Sequence, residues 1–516
     1  MSDETLEAEA ASSPAIPLSP REIRAVMVGL MLVILLGGLE QTIVAVSLPM
    51  MSADLHGVAL LPWVVSGYLI AVAVSTPIYG KLGDLYGRRI MLFSAIVIFM
   101  AASALCALAT SMPMLVGARV LQGIGGAGLL STAQAIIADI ISPRERGRFQ
   151  GYISTAFAIA SVMGPLAGGL LTQYASWRWI FWINLPLGAF ALAVSLRTLA
   201  RLPVPGIKRP VDYGGAILLI LGLTPLLTAI TRIGHGAPPL DMENTLLFSS
   251  SFIAMLAFVW QELRTEEPII PLGLLRNPVV ALSCLILLST FIQLIALSVL
   301  IPLRLQILTG SGADGAAYQL IPLSFAIPMG AYLGGQVMSR TGRYKKIQLL
   351  GAIVVPLMVA ITAYTNPAHT AINVLATVIA GFAIGIQLPT ATVAGQNAVN
   401  HRHVGIVTAL GAFSRSLGAA LGIAILMAVL FAQLHNLAPQ ALQAYPGAEL
   451  LRLMVDSGAG TDAHALLIGP ATQAFQVVFL ASALAATSTI LFGALIPDRP
   501  LSSKRPPASR PAPESP

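Results

Sequence analysis

The stretch GKLGDLYGRRIM, Gly80–Met91, decides how this chain is read. Gly80, Gly83 and Gly87 are spaced through it, Asp84 stands beside the cations Lys81, Arg88 and Arg89, and apolar runs of membrane-spanning length flank it. Glycines permit a tight turn, and an acid among cations holds charges that a lipid interior excludes. The stretch therefore reads as a short charged loop between two membrane helices. Simple accumulation of positive charge on an inner loop accounts for the arginines, but not for the spaced glycines and the acid.

The same pattern of apolar run and short polar break extends over the whole sequence. Of 516 residues, 56% are hydrophobic and 10% charged, whereas soluble domains carry about a quarter charged residues. A helix needs about 20 mostly apolar residues to cross the hydrocarbon core, and it is the open-ended structure that satisfies its own backbone there. Fourteen such segments are expected, at 26–50, 62–81, 90–110, 113–138, 149–173, 179–199, 213–233, 245–262, 278–302, 317–339, 348–365, 370–394, 405–432 and 471–496. The fold class is an all-α polytopic membrane protein, and the even count puts both termini on one side.

Lys and Arg collect in cytoplasmic loops. With both termini placed in the cytoplasm, 23 of the 29 basic residues fall in inner segments, four (Arg178, Arg232, Arg304 and Arg452) fall outside, and Arg119 and Arg415 lie within spans. The net charge of +7 is thus topological, and no polar domain exists to present it to a nucleic acid. Residues 1–20 and 498–516, rich in Ser and Pro, are expected to be disordered cytoplasmic tails. The first of them lacks the basic start and apolar core of a secretory signal. The longest outer loop, 433–470, has room for short surface helices. Cys106 and Cys284 both sit in apolar runs as packing residues.

A degenerate copy of the loop, GQVMSRTGR, Gly335–Arg343, follows the tenth span, with Gly335, Gly342 and Arg343 in the places of Gly80, Gly87 and Arg88 and Ser339 where the acid would stand. The chain thus carries an internal repeat, as expected of transporters built from two six-helix halves. The Gly80–Met91 loop resembles the signature of the major facilitator superfamily, in which the acid and the cations hold neighbouring helix ends together in one state. Counting from the two loops implies a six-helix bundle over 21–200, an inserted helix pair over 201–277 and a second six-helix bundle over 278–497. That 6+2+6 layout resembles the fourteen-helix drug:proton antiporter branch.

Further stretches carry the same resemblance. LEQTIVAVSLP, Leu39–Pro49, is similar to the branch's first-helix signature, with Glu40 in place of the usual Asp and Ala45 where Asn is common. LVGARVLQGIGGA, Leu115–Ala127, places Arg119 and Gln122 in an otherwise apolar fourth span, and Gly151, Gly164, Pro165, Gly168 and Gly169 follow the antiporter spacing in the fifth. WRWIFWINLPLG, Trp177–Gly188, and FSRSLGAALG, Phe413–Gly422, match at spans six and thirteen. In the resembled family the fifth helix packs between the halves and limits leakage. Gly164 and Pro165 are expected to interrupt its hydrogen-bond ladder, and the small residues to admit a neighbour closely.

An ionisable side chain at mid-bilayer costs about 2.5–3.5 kcal/mol on the translocon scale, so it usually faces protein and has a task. Glu40 is the one acid placed deep in a span. Apolar surroundings favour its neutral form and a facing cation its ionised form, which suits it to load and release a proton. Its helical position lies about 15 Å from the outer end and that of Arg119 about 9 Å, so the two are within reach. Their functional reading is proton coupling; the plainer one is a static ion pair that fixes helix packing. Arg415 is the second buried cation, and it meets a substrate anion, backbone carbonyls or a purely structural need. Gln41, Trp63, Tyr68, Gln122, Gln134, Phe157, Phe291, Gln293 and Gln387 are candidate cavity contacts, each with helix packing or interhelical hydrogen bonding as the rival explanation.

No G-x-x-x-x-G-K-[ST] phosphate loop is present, so an ion gradient rather than ATP is expected to drive transport. The histidines fall in loops without metal spacing; no metal, cofactor or enzymatic reaction is expected. The resemblance implies a bacterial inner-membrane exporter whose partners are protons, lipid and small lipophilic, in part cationic, drugs, dyes or biocides. Nothing in the sequence identifies a periplasmic adaptor. Export of an endogenous metabolite, lipid precursor or siderophore uses the same motifs. A transport-inactive membrane sensor stands as the reading from another class.

Overall fold

The structure, a computed structural model, describes residues 20–56, 60–199, 211–234, 237, 238, 240–309, 320–367, 369–400, 403–437 and 462–501. Residues 1–19 and 502–516 of the expected tails and most of the expected outer loop 433–470 lie outside these residues, but the first residues of the expected C-terminal tail are held: Asp498 pairs with Arg343 at 2.8 Å, and Leu501 is buried with its amide donating to the Gly342 carbonyl at 2.9 Å.

Each expected span coincides with a helix: α1 Pro20–Leu55, α2 Leu61–Tyr86, α3 Arg88–Ala107, α4 Met112–Ile140, α5 Pro143–Tyr174, α6 Trp179–Thr198, α7 Tyr213–Gly234, α8 Met242–Glu262, α9 Pro278–Thr309, α10 Ile321–Thr341, α11 Lys345–Tyr364, α12 Thr370–Asn397, α13 Val404–Leu437 and α14 Asp462–Leu495. There is no strand among the described residues. Among the described residues, twelve helices are long and apolar enough to cross a membrane. Helices α5 and α10 pack extensively against each other, with Gly147 against Gly335 and Gly151 against Tyr332.

Sequence chemistry sets the helix ends. Gly87 separates α2 from α3 at φ 94°, and Gly342 ends α10 in the left-handed conformation at φ 69°. Side chains disfavour both geometries, so the glycines matched between the two loop copies perform the same stop. The Ser111 hydroxyl caps α4 by accepting from the Met114 amide.

Buried apolar side chains form two clusters drawn from α1–α6 and their connections, and two others drawn from α9–α14 and the segment just beyond α14. A further cluster joins Leu219 and Leu223 of α7 and Phe258 of α8 to Ile70 and Val74 of α2 and Leu410 of α13. Between the first and last six helices, α5 meets α10 and α2 meets α13.

Two residues read as loop residues lie in helices. Arg304, assigned to an outer loop, lies inside α9, where its guanidinium donates to the carbonyls of Thr362 and Thr365 at the end of α11. Those carbonyls lack intrahelical donors, which makes the buried position tenable. At the Gly164–Pro165 step Pro165, without an N–H, leaves one rung of the ladder unmade, while α5 runs on from Pro143 to Tyr174. The neighbouring helix supports that turn, since Thr42 donates to the Ala160 carbonyl at 3.0 Å. His435, read as a loop residue, lies in the last turn of α13.

Candidate functional site

Glu40 sits on α1 with no exposed surface. One carboxylate oxygen accepts from Arg119 Nη1 on α4, and the other accepts from Asn184 Nδ2 on α6 at 2.6 Å. Arg119, 1% exposed, also donates through Nη1 to Gln122 Oε1 at 2.6 Å and through Nε to the Val64 carbonyl of α2 at 3.0 Å. Its guanidinium carbon lies 4.3 Å from the centre of the Tyr68 ring and 5.8 Å from that of Phe181. Gln122 Nε2 then donates to Ser103 Oγ of α3 at 2.7 Å, and Asn184 reaches the same oxygen at 3.3 Å. Helices α1, α2, α3, α4 and α6 thus converge on one acid.

A buried ion pair holds only when further hydrogen bonds satisfy its remaining atoms, and here both carboxylate oxygens and two guanidinium nitrogens are engaged. Glu40 faces the interior of the first six helices, and every side chain bonded to it or to Arg119 comes from them. Asn184 and Ser103 were not singled out by the sequence reading. Asn184 lies within the Trp177–Gly188 motif as its sole side-chain amide, and the rule that selects polar residues in apolar spans would have found it.

A second group lies between the two sets of helices. Arg415 of α13 points Nη2 at Gln134 Oε1 of α4, 3.4 Å away, and its guanidinium carbon lies 6.0 Å from the ring centre of Phe291 on α9. Three cavity candidates therefore meet. Others are placed differently. Gln293 accepts from Ser482 at 2.8 Å, and Gln387 accepts from Thr290 at 3.3 Å and Gln348 at 3.2 Å, all within the last six helices. Trp63 packs on the α2–α7–α13 cluster, Phe157 against the core of the first six helices, and Gln41 is exposed.

The loop end of the bundle carries a third arrangement. Asp84 accepts from Arg88 at 2.9 Å and from the backbone amide of Ile406, in the first turn of α13, at 3.2 Å. A carboxylate there meets orphan amides and the positive end of the helix dipole. Arg88 also pairs with Asp139 of α4 at 2.6 Å, and Lys81 with Glu267, beyond α8, at 2.8 Å. Arg89 stacks 5.5 Å from the Phe93 ring centre. At the second loop the polarity reverses: Arg144 of α5 donates to the carbonyls of Ser339 and Arg340 at 2.9 and 3.0 Å, closing the negative end of α10. A charge–dipole contact therefore exists there without an acid at position 339.

Close approaches accompany these contacts. A methyl group on Gly335 would fall on the Gly147 carbonyl, one on Gly151 would lie 2.8 Å from Tyr332 Cα, and one on Gly80 would press on Ala409. Further along α5, Gly164 faces Thr42 and Gly168 faces Ile43 of α1, while Gly169 is half-buried. Helix α5 therefore serves two neighbours, α10 through positions 147 and 151 and α1 through 164 and 168.

A sequence profile described as Major Facilitator Superfamily matches residues 30–423. Multidrug resistance protein 3 of Bacillus subtilis (strain 168) is 32% identical over 403 residues, 78% of this chain and 78% of that protein. Multidrug transporter protein MdtP of the same organism is 31% identical over 422 residues, 81% of this chain and 77% of its own. Among solved structures, the proton:xylose symporter XylE bound to 6-bromo-6-deoxy-D-glucose superposes with a TM-score of 0.59 at 15% identity, covering 93% of this chain and 97% of that one.

Proposed function

The chain belongs to the Major Facilitator Superfamily and is a multi-pass membrane protein of a transporter fold, and from that premise we propose that it exports small lipophilic compounds in exchange for protons. Drugs, dyes and biocides are the substrate range that fits relatives named for multidrug resistance. The proposal takes all fourteen helices as crossings in a 6+2+6 order, with both termini and the Gly80–Met91 loop in the cytoplasm of a bacterial cell.

The observation that carries the proposal is the fully enclosed Glu40, tied at once to Arg119 and Asn184. Protonation of this carboxyl abolishes its charge and with it the Coulombic tie to Arg119, which keeps Gln122, the Val64 carbonyl and the Tyr68 ring. A proton there loosens α1 from α4 and alters the seat of α1 against α5. Helix α5 also meets α10, so the change has a route to the loop-side contacts of Asp84 and Arg144 between the two sets of helices. In this scheme Gly80, Asp84, Gly87, Arg88 and Arg89 hold the loop side shut, and Gly151, Gly164, Pro165, Gly168 and Gly169 form the sliding surface. Each entering proton supplies about 2.3 kcal/mol per 100 mV and about 1.4 kcal/mol per pH unit, enough to concentrate a substrate.

The test is purified protein in proteoliposomes under an imposed pH gradient, assayed against a panel of lipophilic dyes. Wild type is expected to drive uphill, gradient-dependent movement, and Glu40→Gln to retain only downhill exchange. Uphill, pH-dependent export by Glu40→Gln removes Glu40 from the mechanism. A wild type indifferent to the gradient removes proton coupling.

A further inference from the structure

Four arginines buried or half-buried among the described residues have strong acceptors, and a fifth does not. Arg119 faces Glu40, Arg88 pairs with Asp84 and Asp139, Arg304 donates to carbonyls at the end of α11, and Arg146 donates to the Ala138 and Ile141 carbonyls around the end of α4. Arg415 has an amide oxygen at 3.4 Å and an aromatic ring at 6.0 Å, and no carboxylate pairs with it among the described residues.

Its position makes this costly. Arg415 lies eleven residues into α13, about 17 Å from the loop end at 1.5 Å per residue. A mid-bilayer cation without a counter-charge is held only at a cost. Yet its side chain is only partly covered, and it stands between Gln134 of α4 and Phe291 of α9, which belong to the two sets of helices. Of its five N–H donors, one is aimed at Gln134. A guanidinium fork is shaped to take a carboxylate or sulfonate in two parallel bonds. Glu40, the deep acid that would attract a cation, is enclosed on all sides and already paired with Arg119.

We propose that Arg415, Gln134 and Phe291 form the charge-selecting part of the substrate site, and that the preferred substrates are small organic acids with an aromatic or otherwise apolar body. Arg415 binds the acid group, Gln134 donates its amide N–H to it, and Phe291 packs on the apolar body. The inference rests on the transport reading above and turns its cationic expectation around, because the accessible central charge is positive.

Binding and transport are measured separately with three probes sharing one ring system: tritiated 1-naphthaleneacetate, its methyl ester and 1-naphthylmethylammonium. In equilibrium dialysis, wild type is expected to bind the acetate at least tenfold more tightly than the ester and to bind the ammonium least. Arg415→Gln lowers acetate affinity at least tenfold and leaves the ester within about twofold, whereas Arg415→Lys retains part of the acid preference. Equal binding of acetate and ester by wild type overturns the proposal, as does unchanged acetate binding by Arg415→Gln or equal loss of acetate and ester. Should Arg415→Gln aggregate, the wild-type ranking and the Arg415→Lys protein decide alone: acid preference in both supports the site, and its absence from either overturns it. Acetate binding without gradient-driven movement of any probe refutes antiport and leaves this site standing. Gradient-driven movement without acid preference does the reverse.

Discussion

Replacing Gly335 by Val tests whether the contact of α5 with α10 is a closed gate. A first side-chain carbon at Gly335 would fall on the carbonyl oxygen of Gly147 and 2.6 Å from its carbonyl carbon. Comfortable carbon–carbon contact begins at about 3.5 Å, so the helices must separate by roughly 1 Å. Neither partner at the clash is a flexible side chain that can turn away, because both offending atoms are backbone. Overpacking of this kind costs about 1–3 kcal/mol. Applied to the loop-side-closed state alone, that is about a 5- to 150-fold shift toward the open one. The Arg144 bonds to Ser339 and Arg340, one helical turn away, lengthen with it. The assay is double electron–electron resonance between spin labels at Ile90 and Lys346, exposed positions near the loop ends of α3 and α11, with Cys106 and Cys284 replaced by Ala. Wild type should give mainly the short distance, and Gly335→Val a broadened, longer one. An unchanged distribution in a folded, monodisperse Gly335→Val protein refutes the gate.

The same label pair reads the other latch: Asp84→Asn keeps an acceptor for the Ile406 amide but removes the charge facing Arg88 and the α13 dipole. It should populate the longer distance through a loss of about 0.5–2 kcal/mol, and Asp84→Ala should do so more strongly; a wild-type distribution from Asp84→Asn would deny the charge a part. Gly164→Val pushes into Thr42, whose hydroxyl bonds the Ala160 carbonyl, two residues from Glu40. It should abolish export and raise the proton leak followed by an internal pH dye in proteoliposomes, and unchanged export and leak count against α5 as a seal. At the far end of α1, hydrogen bonds from Arg178 and Trp177 hold the Asp54 carboxyl below its ordinary value of 3.8. A depressed value means the contact persists above the ordinary carboxylate range and is lost as pH falls through the lowered one. Emission from a protein keeping only Trp177 of its five tryptophans should be flat from neutral pH to about 4 and change below; a transition near neutrality would assign the signal elsewhere.

The helices and their order were legible because lipid leaves the backbone one open-ended solution, so apolar length alone marks each segment. Helices α5 and α10 are informative in this respect. The same apolar length marked them at 149–173 and 317–339. Their role as mutual neighbours follows from the backbone approach of Gly147 to Gly335, which the loop repeat alone did not reveal. Glu40 and Arg119 were legible as rare charges in apolar runs. Asn184 and Ser103 were not singled out, although the rule that picked Gln122 and Gln134 from apolar spans also picks Asn184, the one side-chain amide of the Trp177–Gly188 stretch.

Composition and periodicity by themselves therefore determined that this is an all-helical membrane chain with a duplicated loop, and which residues carry buried charge. Only the tertiary structure decided what those charges face: Glu40 enclosed by five helices, Asp84 and Arg144 on opposite ends of helices from the other half, Arg415 at the boundary with no paired carboxylate among the described residues. The physical reason is the range of the two signals. Transfer of a side chain into lipid is a property of that residue and its near neighbours, whereas an ion pair joins side chains separated by 79 positions, as Glu40 and Arg119 are, and only the packed fold brings them together.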